Sequence, residues 1–372
     1  MAEKRRVLVA IPNLGICNGV TTFIMSFYDY LLEHGYAVDF LLLADVHSEM
    51  EETVKSRGSN IYSVLHGRKY DRKRIDYIDS VLRDQKYDIV HVNVPGPNGA
   101  MVLKLAGKNG VKHRIYHCHN PLNNLSAKAI LSERIFTPLC IRRANKYVAC
   151  TKMAGESVFG KKTFEVINNA INPQKFLFDE NMRQRKRAEL GIEKRLIVGV
   201  AARITDQKNP EFLVRVFAEI NKMNPEAMLL WVGDGIKQEK VQDLCRELEV
   251  QKDVLLVGRQ EDVTEWYSVM DVFVLPSKFE GLGIVYLEAQ ANGLVCFGSD
   301  RVPEETEITD RMHRISLNRS AKEWAQEILQ TYGNSKKDRK AEIELFRQKG
   351  YDSRFAAGRL YEVYESLLEK QE

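Results

Sequence analysis

The sequence lacks the features that define several large classes of protein. It contains no apolar stretch of about 18 residues, which excludes a membrane-spanning helix. None of its six cysteines forms a C-x-x-C pair, so we expect small buried side chains in a reducing compartment rather than disulfides or a zinc site. The net charge is only +4, which is too small to indicate nucleic acid as a partner.

Three further absences concern cofactors, metals and export. No G-x-G-x-x-G follows the first predicted strand, which disfavours a dehydrogenase. No D-x-D occurs in the chain, so one common way of holding Mg²⁺ on two phosphates is missing, and we expect neither metal nor cofactor. The first apolar run covers only residues 7–11, too short for a signal peptide, so we expect a cytoplasmic protein.

Short apolar runs alternate with amphipathic segments along the chain, a pattern typical of βαβ units and of parallel sheets covered on both faces. Strands are predicted at residues 7–12, 37–43, 61–64, 88–92, 113–118 and 146–150, and at 196–202, 227–232, 254–257, 272–276 and 294–298. The fold class is therefore α/β, with two facing, doubly wound Rossmann-like domains. Ligands are expected outside the carboxyl ends of the strands, in a cleft between the domains.

The alternation breaks between Asn168 and Gly191, where turn-forming residues are followed by polar and basic ones. We predict an N-terminal domain over residues 1–177 and a C-terminal domain over 178–352. A charged helix over about 353–372 is expected to pack back onto the first domain. Within the second domain, Asn209 followed by Pro210 predicts a capped helix start.

The most informative segment follows the strand predicted at 272–276. Gly281 and Gly283 allow a tight turn into a helix, and free N–H groups at a helix start attract anions. Glu280 precedes this turn, and Glu288 lies just over one helical turn inside. The two carboxylates suit sugar hydroxyls, although this pattern alone favours a capped helix with solvated glutamates.

Other polar residues also follow predicted strands. Arg203 and Lys208 come after the strand at 196–202 and would offer two cations to a diphosphate, or would lie on an ordinary surface loop. Gly233 begins a turn that either shapes the same rim or has no function. His117 and His119 end another strand, and we expect them to point to opposite faces, with one in the core and one in the cleft.

Two basic regions have two possible interpretations, either a solvated face over a core helix or attachment to an anionic membrane surface. The first contains Arg68, Lys69, Arg72, Lys73 and Arg74. The second contains Lys128, Arg134, Arg142, Arg143 and Lys146, among apolar residues that include Leu131 and Ile135. A lipid-linked acceptor would explain such a surface.

Taken together, these motifs resemble those of retaining GT-B glycosyltransferases of glycosyltransferase family 4. The family's E-x7-E motif appears as Glu280 and Glu288, and its R-x4-K motif as Arg203 and Lys208. GICNGVTTFI resembles the family's glycine loop, and the second histidine of HCHNP matches its active-site histidine. Ala202 departs from the pattern, because many members have glycine before the arginine.

The resemblance implies specific roles for these residues. Arg203 and Lys208 bind the donor diphosphate, with the backbone amides of Gly281, Leu282 and Gly283. Glu288 holds the ribose, and Glu280 holds the transferred sugar. Two further donor contacts are implied, with Val263 beside the base and Gly19 in a loop over the phosphates, while Gly233 lines the rim. His119 lines the reacting face, and retention of anomeric configuration follows from the family.

The implied activity is transfer of a hexose from a nucleotide-diphosphate sugar, with UDP as the first choice and GDP-mannose as the second. The acceptor would be a growing polysaccharide or a lipid-linked glycan, at the inner face of the plasma membrane if the basic regions bind lipid. A sugar-nucleotide epimerase, a phosphorylase and a non-catalytic accessory subunit remain alternatives.

Overall fold

A computed structural model describes residues 4–15, 19–44, 48, 50–64, 71–119, 127–335, 338–339 and 342–369. Contacts between Cα atoms divide the chain into two compact units. The first comprises Met1–Ala170 together with Gly350–Glu372, and the second comprises Ile171–Lys349. Both are α/β units with a parallel sheet, so the predicted doubly wound α/β fold class is confirmed.

The first unit contains a parallel sheet of seven strands. They are β1 (Arg6–Ile11), β2 (Ala37–Leu42), β3 (Ile61–Ser63), β4 (Ile89–Val92), β5 (His113–Cys118), β6 (Lys146–Ala149) and β7 (Glu165–Val166). Their order across the sheet is β3-β2-β1-β4-β5-β6-β7. The order reverses between β1 and β4, which makes the carboxyl ends of these two strands the expected ligand position.

Six helices follow the strands of the first unit in turn. They are α1 (Gly19–Glu33), α2 (Met50–Ser56), α3 (Arg72–Gln85), α4 (Gly96–Lys108), α5 (Ala127–Arg143) and α6 (Lys152–Phe159). Alternate residues of β1 enter two different cores, with Leu8 and Ala10 on one face and Val7 and Val9 on the other. This alternation is the physical reason why the strands read as continuous apolar runs.

The second unit repeats the arrangement with six parallel strands. They are β8 (Leu196–Ala201), β9 (Ala227–Val232), β10 (Val254–Gly258), β11 (Val272–Leu275), β12 (Val295–Ser299) and β13 (Met312–Ile315), in the order β10-β9-β8-β11-β12-β13. The order reverses between β8 and β11. The segments that carry Arg203–Lys208 and Glu280 follow these two strands, so topology places both motifs at the same sheet edge.

The second unit contains seven α-helices among the described residues. They are α7 (Glu180–Leu190), α8 (Pro210–Met223), α9 (Gln238–Glu247), α10 (Thr264–Val269), α11 (Ile284–Ala291), α12 (Ala321–Asn334) and α13 (Ile343–Gln348). Asn209 occupies the N-cap position of α8, directly before Pro210, as predicted, but its side chain does not act as the cap. Its backbone has φ 56° in the left-handed region, and its side chain makes no capping hydrogen bond.

The last helix, α14 (Ser353–Leu368), belongs to the first unit and packs against α1. The chain passes from the first unit to the second between Ala170 and Ile171, before the boundary that the sequence predicts at residue 177. The reason is that the short turn Pro173–Phe176 packs on α11 and α10. Asn292 fixes this turn by donating to the Phe176 carbonyl at 2.7 Å.

An ionic cluster anchors the strand that leads to the Glu280 loop. Asp271, which directly precedes β11, pairs with Arg183 and Arg187 of α7 and accepts from the Ile197 amide at 2.8 Å. Burial lowers the pKa of Arg187, so the carboxylate is needed to compensate a charge that water reaches poorly. This cluster sets where β11 begins and hence where its carboxyl end lies.

Candidate active site

Two loops at the carboxyl edge of the second sheet are joined by an ion pair. Lys208 lies in the short turn Asp206–Lys208 after β8, and Glu280 lies in the loop after β11. The Lys208 Nζ atom is 2.6 Å from Oε1 of Glu280, and the two side chains are only 12% and 5% exposed. Removing either partner would leave a poorly solvated charge, so the structure favours both residues being present.

Arg203 lies on the same loop as Lys208, in the segment that directly follows β8. Its side chain is exposed, unlike that of Lys208. The two predicted diphosphate ligands therefore share one loop but differ in environment. An exposed guanidinium is free to adopt the two-pronged geometry that phosphate oxygens accept.

A second ionic network supports this loop from outside. Asp206 contacts Lys237 at 2.7 Å and Lys278 at 3.0 Å, and Lys237 also contacts Glu211 at 2.9 Å. These partners hold the pKa of Asp206 down at about 2. Asp206 stays ionised across the physiological range and links the loops after β8, β9 and β11.

Gly233 supports the Arg203 loop rather than forming an ordinary turn. Its φ is +133°, and a Cβ atom there would lie 2.3 Å from the carbonyl oxygen of Ala202. The Asp234 carbonyl accepts from the Ile204 amide at 2.7 Å. Only glycine permits this close approach of two backbones, so Gly233 shapes the loop that carries Arg203. A direct contact with a donor stays a prediction.

The turn before α11 has the geometry that the sequence predicts. Gly283 occupies the position before the helix with φ 76°, and a Cβ there would collide with the Tyr286 ring at 2.7 Å. Leu282 is buried, and Gly281 is partly exposed. Gly293, with φ 76°, follows the end of the helix. The first N–H groups of α11 therefore lie beside the Glu280 loop, where an anion would be stabilised.

Glu288 is half-buried on α11 and accepts from the Tyr267 hydroxyl at 2.6 Å. Burial raises the pKa of Glu288 to about 7, and the Tyr267 hydrogen bond opposes this shift. The carboxylate is therefore poised to ionise when further donors reach it. Val263 is half-buried and directly precedes α10, the helix that carries Tyr267. Its predicted contact with a base stays a prediction.

His119 lies just beyond β5 in the first unit. Its Nε2 atom is 2.8 Å from Oδ1 of Asn93, which lies just beyond the neighbouring strand β4. Burial lowers the pKa of His119 to about 4. At neutral pH His119 is therefore an uncharged hydrogen-bonding group, and its predicted catalytic role stays a prediction.

The prediction that His117 and His119 point to opposite faces is wrong. Their rings stack with centroids 4.2 Å apart, because residues two apart in a strand share a face. His91 of β4 extends the stack, with its Nε2 atom 3.1 Å from Nδ1 of His117. Nδ1 of His91 is 2.6 Å from the Tyr364 hydroxyl of α14. These three histidines, His91, His117 and His119, form what we call the histidine column.

Two parts of the predicted site are only partly covered by the structure. Gly19 is the first residue of α1, but residues 16–18 of its loop lie outside the described residues, as do residues 120–126 after His119. The predicted closure of the Gly19 loop over phosphates stays a prediction. Among the described residues no group of three or more metal-ligating side chains is found, and the predicted absence of a metal also stays a prediction.

The basic regions separate into structural and exposed residues. Arg74 is buried and donates to the Leu43 carbonyl at 2.8 Å, and Arg143 donates to the Ala100 carbonyl at 2.7 Å. Arg72, Lys73, Arg134 and Arg142 are exposed, whereas Lys146 is half-buried against Glu165. Arg68, Lys69 and the side chain of Lys128 lie outside the described residues. None of the described helices is long and apolar enough to cross a bilayer.

Several neighbours of the predicted residues were not expected from the sequence. Ser277, Gln207 and Tyr267 bond to the two glutamates, while Asn93 and His91 belong to the surroundings of His119. One signal was present, because Ser277 and Glu280 form an S-x-x-E pattern that often marks a helix start. Here the serine donates to the glutamate side chain instead of capping a helix.

Both halves of the chain match glycosyltransferase models. The family described as "Glycosyltransferase Family 4" matches residues 17–175, and the one described as "Glycosyl transferases group 1" matches residues 182–344. Together the two matches span most of the chain and identify it as a glycosyltransferase, as the sequence motifs predicted. Of the classes that the sequence left open, these matches favour the transferase.

Similar proteins support the same class. EpsF of Bacillus subtilis (strain 168) is 28% identical over 99% of this chain and 98% of its own length. An Escherichia coli UDP-Gal:alpha-D-GlcNAc-diphosphoundecaprenol alpha-1,3-galactosyltransferase is 28% identical over 62% of each chain. Anabaena Alr3699/HepE, solved with UDP and glucose, has a TM-score of 0.77 at 16% identity, covering 97% of this chain and 100% of that one. That structural likeness shows the GT-B fold.

The histidine column predicts a loss of stability in mild acid. Burial lowers the pKa of His91 to about 3 and of His119 to about 4, and lowers that of His117 well below its usual range. As the pH falls, the unfolded chain therefore binds protons at a higher pH than the folded chain does. The free energy of unfolding has its full value above about pH 6.5. It falls as the pH drops toward the pKa values of the folded state, by up to about 1.4 kcal/mol per pH unit for each histidine.

Replacing His91→Phe should therefore make the free energy of unfolding less steeply dependent on pH between about pH 7 and about pH 5. Urea denaturation across this range measures the slope, whatever the variant does to stability at neutral pH. His34→Gln is the matched control, because His34 is exposed. Equal slopes for wild type and His91→Phe would contradict the assignment of a buried neutral histidine.

Proposed function

We propose that this glycosyltransferase moves a hexose from a nucleotide-diphosphate sugar, with UDP as the preferred nucleotide, onto a polysaccharide or lipid-linked glycan. The observation that carries the proposal is the Lys208–Glu280 pair beside the start of α11. It brings a cation for phosphate and an acceptor for hydroxyls to one sheet edge. The UDP-galactose and lipid-diphosphate named for the Escherichia coli relative support the choice of donor and acceptor.

In the second unit, different residues would bind the charged and the neutral parts of the donor. Arg203, Lys208 and the N–H groups of Gly281–Gly283 suit the diphosphate, because these groups concentrate positive potential without a metal. Glu288 suits the ribose hydroxyls, since each hydroxyl donated to it favours the ionised carboxylate. Glu280 suits hydroxyls of the sugar. We propose that the reaction needs no metal, consistent with the lack of D-x-D.

The proposed transfer proceeds with retention, as the family implies. The acceptor hydroxyl attacks C1 of the sugar on the face from which the nucleotide departs. The bond from C1 to the β-phosphate oxygen breaks, and its electron pair stays on that oxygen. The proton of the acceptor hydroxyl passes to the leaving phosphate as the new C1–O bond forms. Arg203 and Lys208 stabilise the negative charge that grows on the diphosphate. His119, neutral in its own unit, would donate or accept a hydrogen bond rather than supply charge.

Thermal-shift measurements with UDP, GDP, ADP and their sugars test the nucleotide. We expect UDP compounds to raise the melting temperature most, because a ligand at about 100 times its Kd stabilises the folded state by about 2.7 kcal/mol.

Lys208→Met and Glu280→Gln should each lower kcat by about 100-fold or more while the fold is retained. Lys240→Met, on an exposed residue that pairs with Glu211 at 2.9 Å, is the matched control. Binding of no nucleotide, or full activity of both variants, would refute the proposal.

The pKa of Glu288 makes donor affinity depend on pH. Because burial raises this pKa to about 7, the binding carboxylate form is scarce near pH 6 and dominant near pH 8. Affinity for a UDP-sugar should rise about tenfold over this range. The intact sugar nucleotide is the right probe, because a free terminal phosphate itself titrates near pH 6. Calorimetry should show weaker and nearly pH-independent binding for Glu288→Gln. If Glu288→Gln keeps the wild-type dependence of affinity on pH, Glu288 is not the residue that causes it.

We also propose that α5 rests on an anionic membrane from the cytoplasmic side. One stripe of this helix exposes Leu131 (62%), Ile135 (56%) and Pro138, flanked by the exposed Arg134 and Arg142. The opposite side is buried, with Glu133, Thr137 and Cys140. Apolar residues between arginines suit the headgroup region, where a lipid-linked acceptor would be held.

Vesicle flotation tests this surface. The protein should float with vesicles that contain phosphatidylglycerol and not with phosphatidylcholine alone, and added salt should release it. The double substitution Leu131→Ser with Ile135→Ser should weaken flotation. Ile236→Ser is the matched control, because Ile236 is 92% exposed in the second unit. Salt-independent flotation, or no flotation, would overturn the membrane proposal without affecting the donor site.

A further inference from the structure

The two oxygens of Glu280 have different surroundings. Oε1 receives two strong hydrogen bonds, one from Lys208 Nζ at 2.6 Å and one from Ser277 Oγ at 2.5 Å. Oε2 has one long contact among the described residues, from Gln207 Nε2 at 3.3 Å. A carboxylate oxygen can accept more than one hydrogen bond, so Oε2 retains capacity for a further donor.

Ser277 is a fixed partner of this carboxylate. It is completely buried, and its carbonyl oxygen accepts from the buried Ser299 hydroxyl at 2.5 Å. Ser299 ends β12, so the main chain at Ser277 is tied to the neighbouring strand. With its single proton directed at Glu280, Ser277 sets the orientation of the carboxylate plane.

Gln207 stands on the other side of Glu280 and joins two loops. Its carbonyl accepts from the Lys278 amide at 2.8 Å, and its side-chain amide also donates to the Phe279 carbonyl at 3.1 Å. The amide is thus held beside Oε2 by bonds that do not depend on Glu280. A hydroxyl that approaches Oε2 would meet the Gln207 side chain at the same time.

We infer that Ser277 and Gln207 are positioning residues that present Oε2 of Glu280 to the transferred sugar, an inference that rests on the proposed function. Ser277 anchors Oε1, and its bond persists when Lys208 turns to the diphosphate. A buried carboxylate needs such a donor, because a lost partner leaves its charge poorly compensated. Gln207 limits which hydroxyl arrangement fits beside Oε2, and so contributes to the choice of sugar.

Calorimetry with UDP and with UDP-glucose, UDP-galactose and UDP-N-acetylglucosamine separates sugar contacts from nucleotide contacts. Ser277→Ala should weaken the best-bound UDP-sugar by about tenfold and change UDP affinity by less than about twofold. Ser268→Ala is the matched control, since Ser268 is an equally buried serine of the same unit that bonds to Asp179 and Asn292 and not to Glu280. It should leave both affinities unchanged.

Gln207→Ala should narrow the ratio of kcat/KM between UDP-glucose and UDP-galactose by about tenfold, which a merely structural role would not do. Failure of wild type to bind any nucleotide would refute the proposed function itself. The inference alone would be overturned if wild type binds nucleotide but Ser277→Ala loses equal affinity for UDP and for the UDP-sugar. It would also be overturned if Ser277→Ala loses no affinity for either. If Gln207→Ala leaves the ratio of kcat/KM for the two UDP-sugars unchanged, Gln207 is not one of the positioning residues.

Discussion

Lys208 and Glu280 form an ion pair across the point where the strand order of the second sheet reverses. The neighbouring strands β8 and β11 end side by side, so the loops that follow them must meet. Two opposite charges with little exposure are stable there only as a pair. Each loop therefore depends on the other for its conformation, and the ionic network around Asp206 reinforces the same junction.

This pair also explains why the site can be ordered without a ligand. In the structure the lysine neutralises Glu280, while Ser277 and Gln207 fix the orientation of the carboxylate. In the proposed donor complex, a diphosphate would compete with Glu280 for Lys208, and sugar hydroxyls would replace part of what Glu280 loses. Exchange of hydrogen-bond partners costs less than creating uncompensated charges, so binding can proceed with little rearrangement of the main chain.

Much of the architecture was predictable from the sequence, because buried parallel strands require continuous apolar runs. The helices between them require apolar residues at helical spacing instead. Strand β5 has the predicted limits at residues 113–118. Motif residues such as Glu280 were predictable through their family pattern. The role of Ser277 was not, since its S-x-x-E spacing from Glu280 indicates a helix cap and one buried hydroxyl leaves no periodic trace. The stacking of His117 on His119 was predictable in principle, because alternate residues of a strand share a face.

The two units use buried polar groups in opposite ways. In the second unit the buried Glu280 carboxylate has a partner of the opposite sign in Lys208, whereas Glu288 is bonded by the neutral Tyr267 hydroxyl. In the first unit the histidine column has no carboxylate partner among the described residues, so burial holds its members in the neutral form. His119 can then form hydrogen bonds without adding a positive charge. A neutral group is compatible with an uncharged hydroxyl, whereas the paired cations are compatible with a diphosphate. The chemistry of each unit thus matches a different part of the proposed reaction.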